Sequence, residues 1–226
     1  MRADSLGTFL LLGRPVQVWC AAVGGEGGPE RAADLGMLHA SEVDRMRRIL
    51  PEDERAAYVA GRALVRHVLA AQLQMTPEES VIVAGGGGRP RLVGPRNRGV
   101  DFSLSHSSGL VAVAVSTTAC VGIDIEQLLP GRPFEEIARR FFAPEERALW
   151  ARTHCADRLR TWYRIWTRRE AYVKATGDGL RGIGREHPGR GSGWDTVPLD
   201  PAPGYVGSLV VLGEGSPARL TLGAER

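Results

Sequence analysis

Two acidic side chains in the middle of the 226-residue chain are spaced so that a β-strand would present both on one face. They belong to the segment Gly122-Ile123-Asp124-Ile125-Glu126. Because side chains alternate between the two faces of a strand, Asp124 and Glu126 point one way and the isoleucines point the other. Paired carboxylates repel each other unless a cation lies between them, and such hard oxygen ligands suit Mg²⁺. The segment predicts either a metal-binding strand or the solvated acidic face of an edge strand.

A second candidate is Lys174, the one lysine of a chain whose other 28 basic residues are all arginine. Glu170 and Lys174 are four residues apart and continue a helical stripe that includes Trp166, which predicts that both face inward. The alternative is a surface ion pair of small energetic value, with Ile165 and Tyr172 on the inward face instead. A surface pair does not require lysine where arginine serves everywhere else, so we favour a functional ammonium.

A third candidate is the polar run Ser103-Leu104-Ser105-His106-Ser107. Hydroxyl and imidazole groups at a strand end suit phosphate binding. A serine hydrolase is disfavoured, because Ser105 and His106 are sequence neighbours that project oppositely and no G-x-S-x-G segment is present. The remaining alternative is a polar loop with a surface histidine.

Arginine supplies further candidate anion ligands. Gly88-Arg89-Pro90 places one guanidinium on a constrained turn, while the segment around it lacks the Gly-Lys-Ser/Thr of a P-loop. Arg62 and the nearby Arg45, Arg47 and Arg48 could add phosphate contacts, although most arginines of this kind belong to ordinary solvated faces. Taken together, three inward carboxylates, one lysine, a Ser-His pair and an arginine turn describe a Mg²⁺-bridged pyrophosphate with a further phosphate nearby. Glu146 is an ordinary residue for a helix N-terminus and is not expected to be functional.

The elements that must position these residues alternate strands, helices and strands, and then repeat that order. We expect an α+β fold of two pseudo-repeated halves joined near residue 116, with an N-terminal half over 1–115 and a C-terminal half over 116–226. Periodicity predicts helices at 51–73, 134–141, 144–152 and 157–176. It predicts strands at 16–23, 81–83, 91–93, 102–104, 110–115, 121–126, 205–212 and 218–222, with a hairpin over 110–126 and a loop over 177–204.

Composition excludes several classes of protein. A net charge of +3 is too small to indicate a nucleic-acid-binding protein, and the chain lacks aromatic-interleaved basic stripes. No stretch approaches 18 uninterrupted apolar residues, so we expect neither a signal peptide nor a membrane span. Cys20, Cys120 and Cys155 lack metal-binding spacing and predict buried thiols in a reducing, cytoplasmic compartment.

These motifs together resemble the phosphopantetheinyl transferases, in particular the larger, surfactin-synthetase-activating type. The strand motif G-[IV]-D-[IV]-E corresponds to 122–126, and the helix motif W-[ST]-x-K-E-x-x-x-K-x-x-G-x-G-L to 166–180. F-[NS]-x-S-H-[ST] is similar to 102–107, G-[KR]-P to 88–90, and R-[FY]-F-x-x-x-E to 140–146. Arg169 and Arg89 stand where the family usually has lysine, and Ala57 stands where many relatives carry a basic residue.

The resemblance implies that coenzyme A binds in a cleft between the two halves and that the 4′-phosphopantetheine arm is transferred to a carrier-protein serine, with release of 3′,5′-ADP. Asp124, Glu126 and Glu170 would hold Mg²⁺ or Mn²⁺, Lys174 would contact the pyrophosphate, and Glu170 or a water that it holds would act as base. Ser105, His106, Arg89 and Arg62 would bind the 3′-phosphate and adenosine end.

The partner implied by the resemblance is an acidic acyl or peptidyl carrier protein, and we expect the enzyme to act as a monomer, without nucleic acid or membrane. A module that binds a nucleotide or a carrier protein without catalysis is the alternative; it would bind coenzyme A and release no 3′,5′-ADP.

Overall fold

A computed structural model of the chain describes residues 3–24, 35–85, 89–95, 97, 99–183 and 193–213. Its helices are α1 (Ala40–Arg47), α2 (Glu52–Leu73), α3 (Phe134–Phe141), α4 (Pro144–Arg152) and α5 (Cys155–Thr176). Its strands are β1 (Asp4–Leu11), β2 (Arg14–Ala22), β3 (Val81–Ala84), β4 (Pro90–Val93), β5 (Asp101–Ser107), β6 (Leu110–Ser116), β7 (Cys120–Gln127), β8 (Trp194–Leu199) and β9 (Tyr205–Leu212).

The strands form three antiparallel sheets, which confirms the predicted α+β class. The first has the order β1-β2-β6-β5, the second is the hairpin β3-β4, and the third has the order β7-β9-β8. The first sheet therefore lies within 4–116 and the third within 120–212. The division into pseudo-repeated halves at residue 116 stays a prediction.

The predicted hairpin over 110–126 is wrong. β6 pairs with β2 and β5, whereas β7 pairs with β9 in a different sheet. Every residue of β6 is buried, as expected of a central strand with neighbours on both edges. The partner of β6 along the chain is β5, and Ser108 and Gly109 both adopt positive φ in the turn between them, as two-residue hairpin turns require. The strand predicted at 102–104 is accordingly longer, Asp101–Ser107.

Four of the five described helices agree closely with their predicted bounds, since their apolar periodicity is local and strong, whereas α1 was not predicted. α3 and α4 have the predicted ends, and α2 and α5 differ by one and two residues at their N-termini. Two strands escaped prediction: β1, and β8 within the expected loop 177–204. The strand predicted at 218–222 lies outside the described residues.

A seam of side chains joins the first and third sheets where β5 lies beside β7. Backbone N–H groups of alternate β7 residues donate to side-chain oxygens of alternate β5 residues at 2.8–3.2 Å. The pairs are Val121 to Asp101, Ile123 to Ser103, Ile125 to Ser105 and Gln127 to Ser107. Side chains and backbone N–H groups alternate in direction along each strand. The polar side chains at 101, 103, 105 and 107 therefore each meet one N–H group on the edge of β7 that does not pair with β9. The seam fixes the register of β7 against β5.

α5 packs directly on β7 and β9, and this close approach depends on Gly122. A Cβ at that position would overlap the carbonyl oxygen of Ala171 and lie 2.6 Å from the backbone nitrogen of Ala175. Towards its N-terminal end α5 is anchored by Trp162, which is fully buried and stacks on Trp166 with ring centroids 5.6 Å apart. In the part of the chain that the structure describes, no helix is both long and apolar enough to cross a membrane.

Candidate active site

A cavity of about 420 Å³ lies where β5, β7, α2 and α5 meet. Seven of the eight predicted site residues line it. They are Arg62, Ser105, His106, Asp124, Glu126, Glu170 and Lys174. The two strands bring the Ser-His pair and the carboxylates together across the seam, and α5 adds Glu170 and Lys174 beside Trp166. The predicted stripe of Trp166, Glu170 and Lys174 thus lines the cavity, and Lys174 pairs with Asp124. Ile165, the inward residue of the alternative interpretation, is buried as well.

Asp124 lies at the centre of a buried hydrogen-bond network. Its side chain is only 9% exposed, and its Oδ1 accepts hydrogen bonds from Lys174 Nζ at 2.8 Å and from Ser105 Oγ at 2.8 Å. Lys174 Nζ also donates to Ser105 Oγ at 3.0 Å. The other oxygen, Oδ2, is buried and has no hydrogen-bond partner among the described residues. A buried carboxylate oxygen without a partner is costly, so this atom is suited to an additional ligand.

Glu126 is held from two sides. Its Oε2 accepts a hydrogen bond from Ser107 Oγ at 2.8 Å, and the guanidinium of Arg132 donates to both carboxylate oxygens at 3.2 Å. Arg132 also lies over the ring of Tyr163, with Cζ 5.4 Å from the centroid. The opposite face of β7 buries Ile123 and Ile125 almost completely. This arrangement excludes the simple solvated acidic strand.

Glu170 lies near both of these carboxylates and titrates accordingly. Burial, and then the negative charges of Asp124 and Glu126, raise the pKa of Glu170 to about 7, although the Lys174 ammonium opposes the shift. A carboxyl with a pKa near neutrality exchanges a proton readily at physiological pH, as a general base must. Burial is the largest cause of this raised pKa, and the neighbouring carboxylates add to it.

The three carboxylates suit a divalent ion in donor type, although they do not form a compact cluster. Among the residues described, no group of three or more His, Cys, Asp or Glu side chains is placed close enough to hold an ion. Asp124 instead pairs with Lys174, and Glu126 with Arg132. The unpartnered Oδ2 of Asp124 and the raised pKa of Glu170 are both features that a bound cation would relieve. The predicted ligand set of Asp124, Glu126 and Glu170 therefore stays a prediction.

A second group of residues lining the cavity is basic or aromatic. Arg62 pairs with the buried Glu42 at 3.4 Å and lies over the ring of Tyr58, while its buried Nη1 has no hydrogen-bond partner within the described ranges. Arg45 lies near the same ring, with Cζ 5.8 Å from its centroid. Partial burial and the Lys174 ammonium lower the pKa of His106, so its ring is neutral at pH 7 and would donate one hydrogen bond to an anion.

Arg89 is the one predicted site residue that does not line this cavity. It borders an adjoining cavity of about 280 Å³, which shares Glu170 and Lys174 with the first. Its guanidinium donates to Asp101 Oδ2 at 2.5 Å and to the carbonyl oxygens of Val121 and Ala175, both at 2.7 Å. These bonds tie β5, β7 and the end of α5 together. A contact between Arg89 and a ligand phosphate stays a prediction.

Glu146 is more deeply involved than its place in α4 suggested. Its Oε1 accepts from Arg168 at 2.6 Å and its Oε2 from Arg169 Nε at 2.7 Å, and it also caps α4 by accepting from Ala143 N at 2.8 Å. Arg169 is 2% exposed and donates to Ile183 O at 3.0 Å. The pair fixes the rotation of α5 directly before Glu170.

Two residues at the site, Tyr58 and Arg132, were not singled out from the sequence. Ser107 was part of the candidate polar run 103–107, but no role of its own was predicted for it. The alternation of polar residues at 101, 103, 105 and 107 was the available signal for Ser107, since a strand would point all four the same way. For Tyr58 and Arg132 the sequence offered no comparable signal.

Comparison with known proteins identifies a family. The model of the 4′-phosphopantetheinyl transferase superfamily matches residues 120–225. A 4′-phosphopantetheinyl transferase of Nostoc sp., HetI, is 36% identical over 145 residues, which cover 63% of this chain and 61% of the relative. The 4′-phosphopantetheinyl transferase AcpT of Escherichia coli K12 is 33% identical over 157 residues, which cover 70% of this chain and 68% of the relative. A phosphopantetheinyl transferase of Thraustochytrium sp. is 30% identical, covering 73% and 62%. The chain thus spans about three fifths of the length of some of these relatives.

Proposed function

The chain belongs to the 4′-phosphopantetheinyl transferase superfamily, and on that premise we propose that it transfers the 4′-phosphopantetheine arm of coenzyme A to a serine hydroxyl of an apo carrier protein. The observation that carries the proposal is the shared cavity. Three carboxylates, the lone lysine, Arg62 and His106 all line it. Carboxylates suit the divalent ion that accompanies a diphosphate, and cationic and N–H groups suit a further phosphate monoester.

The basic and aromatic residues that line the cavity are suited to bind the 3′-phosphate and adenosine of coenzyme A. Arg62 has a buried N–H group without a partner among the described residues, and Tyr58 gives it an aromatic surface. A charged guanidinium held by Glu42 is already oriented, so less conformational entropy is lost when an anion binds. Ser105 and His106 border the same space from β5.

The carboxylates and Lys174 are suited to bind the pyrophosphate and to carry out the transfer. The carrier serine oxygen forms a bond to the β-phosphorus, the bond from that phosphorus to the bridging oxygen breaks, and 3′,5′-ADP leaves with the electron pair. Glu170, which lines the cavity beside Asp124 and Glu126, is the proposed base that takes the serine proton, directly or through a water. Lys174, 2.8 Å from Asp124, is placed to bind the pyrophosphate oxygens.

Asp124, Glu126 and Glu170 would hold the divalent ion, Mg²⁺ or Mn²⁺. When bound, that ion neutralises the charge on the pyrophosphate and stabilises the leaving group. The unpartnered Oδ2 of Asp124 supports this assignment. Lys174 would then turn from Asp124 toward the phosphates, since its stem is flexible and its ammonium has three donors.

We further propose the larger, surfactin-synthetase-activating type, because one chain supplies both strands of the seam and the helix that completes the cavity. A single chain is therefore sufficient to form the cavity, and we propose that the protein acts as a monomer. An acidic acyl or peptidyl carrier protein is the proposed partner, since the chain carries an excess of arginine. None of the three cysteines forms a disulfide, which supports a cytoplasmic location. The prediction that all three are buried is wrong, since Cys20 is buried, Cys120 is half-buried and Cys155 is exposed.

The test is a transfer assay on a panel of apo acyl and peptidyl carrier proteins with coenzyme A and Mg²⁺. Mass spectrometry follows the carrier, and chromatography follows 3′,5′-ADP. We expect stoichiometric modification of the carrier protein and release of 3′,5′-ADP. Both should be lost when the Mg²⁺ is chelated and in the variants Asp124→Ala and Glu170→Ala. Glu145→Ala, an exposed carboxylate on α4, is the matched control and keeps full activity. Binding of coenzyme A with no ADP release on any carrier would identify a binding module instead.

A further inference from the structure

The serine residues of β5 differ in one respect that follows from their register. Ser103, Ser105 and Ser107 each accept a backbone N–H from β7 at 3.1–3.2 Å. A hydroxyl that accepts one hydrogen bond still has its own proton to donate. In Ser105 and Ser107 this proton points to a carboxylate of the same β7 strand, at 2.8 Å in both cases.

The offset between the strands decides which carboxylate each serine reaches. Ser105 donates to Asp124 and Ser107 donates to Glu126. By the same offset Ser103 lies opposite Gly122, which has no side chain, so Ser103 contributes to the seam without a carboxylate. Ser103 and Ser107 therefore share the structural bond, and Ser107 alone adds a hydrogen bond to Glu126.

We propose that Ser107 is a positioning residue that orients the Glu126 carboxylate for the divalent ion. The inference rests on the proposed function, because it takes Glu126 as a ligand of that ion. Arg132 also binds Glu126, but a guanidinium carries a positive charge that opposes a second cation at the same carboxylate. Ser107 is neutral, so it fixes one oxygen of Glu126 without competing with the ion.

The hydroxyl of Ser107 is itself well fixed. Its acceptor site is taken by Gln127 N at 3.1 Å, and this bond belongs to the seam that holds the two sheets. Because an ionised carboxylate oxygen only accepts hydrogen bonds, the hydroxyl is the donor in its 2.8 Å contact with Glu126 Oε2. Partners of this kind behind a metal ligand typically contribute about 10- to 100-fold to metal affinity.

The experiment is a titration of the whole protein with Mn²⁺, followed by electron paramagnetic resonance, in the absence of coenzyme A. Ser107→Ala is expected to weaken Mn²⁺ binding about tenfold or more. Ser103→Ala is the matched control: it removes the same seam acceptor and is expected to bind Mn²⁺ as the wild type does. Thermal unfolding should show similar destabilisation of both variants. Ser107→Thr, which keeps the hydroxyl, should restore the affinity.

The outcomes separate this inference from the proposed function. If Ser103→Ala and Ser107→Ala weaken Mn²⁺ binding equally, or if neither does, Ser107 serves only the seam and the inference is overturned. If Glu126→Gln binds Mn²⁺ as tightly as the wild type does, the proposed ligand set is wrong, and the inference fails with it. Weakening confined to Ser107→Ala, together with rescue by threonine, supports both.

Discussion

Replacing Gly122 by alanine tests how tightly α5 must approach β7. The added Cβ would overlap the Ala171 carbonyl oxygen and lie 2.6 Å from the Ala175 nitrogen, whereas ordinary contacts require about 3.5 Å or more. Both neighbouring atoms belong to the backbone of α5, so no side chain can rotate to make room. The helix must move by at least about 1 Å, and overpacking of this kind costs about 3 kcal/mol in the free energy of unfolding.

The same displacement would move Glu170 and Lys174, which lie in the turns of α5 that Gly122 contacts. A displacement of about 1 Å in catalytic groups lowers rates by about 100-fold. Chemical denaturation and the carrier transfer assay measure the two effects. Gly36→Ala is the control, because a Cβ there has open space around it. Wild-type stability and rate in Gly122→Ala would show that α5 does not need this close approach, and would refute the argument.

Three further predictions concern charge. Lys174→Arg should lower the transfer rate at least about tenfold although it keeps the charge. A planar guanidinium does not replace a compact ammonium bound to Asp124. Wild-type rates in this variant would show that the lone lysine has no special role. In the ion-free protein Glu170 binds protons more tightly when folded, so stability should fall as pH rises from about 4.5 through about 7, by a few kcal/mol at most; denaturation of Glu170→Gln should lack this decline. Burial alone would raise the pKa of Glu146, but hydrogen bonds from Arg169 and Ala143 lower it overall, so it stabilises the fold above about pH 4.5 and this stability is lost as pH falls further. Glu146→Gln should cost about 3 kcal/mol at pH 7 and show less acid sensitivity in the same denaturation series.

The helices were predictable because the information that specifies them is local. α3 and α4 begin and end where periodicity and N-terminal prolines placed them, and Glu170 and Lys174 share the predicted stripe with Trp166. The alternation in β7 likewise predicted two carboxylates on one face and two buried isoleucines on the other.

The arrangement of strands was less predictable, because pairing depends on partners distant in the sequence. Adjacent strands usually pair, so β6 and β7 were expected to form a hairpin, yet burial of both faces and both edges places β6 between β2 and β5. The position of β5 beside β7 determines that Ser107 meets Glu126 and that Arg89 reaches Val121 and Ala175. These contacts required the three-dimensional structure.

The proposed reaction requires the carboxylates of Asp124, Glu126 and Glu170 to share one divalent ion beside the pyrophosphate of coenzyme A. Anomalous diffraction from crystals grown with Mn²⁺ and coenzyme A locates that ion directly. Our account predicts a single manganese peak in contact with all three side chains and with the pyrophosphate, with Lys174 turned toward the phosphates. A manganese peak elsewhere, or coenzyme A bound with these carboxylates still paired to Lys174 and Arg132, would contradict it.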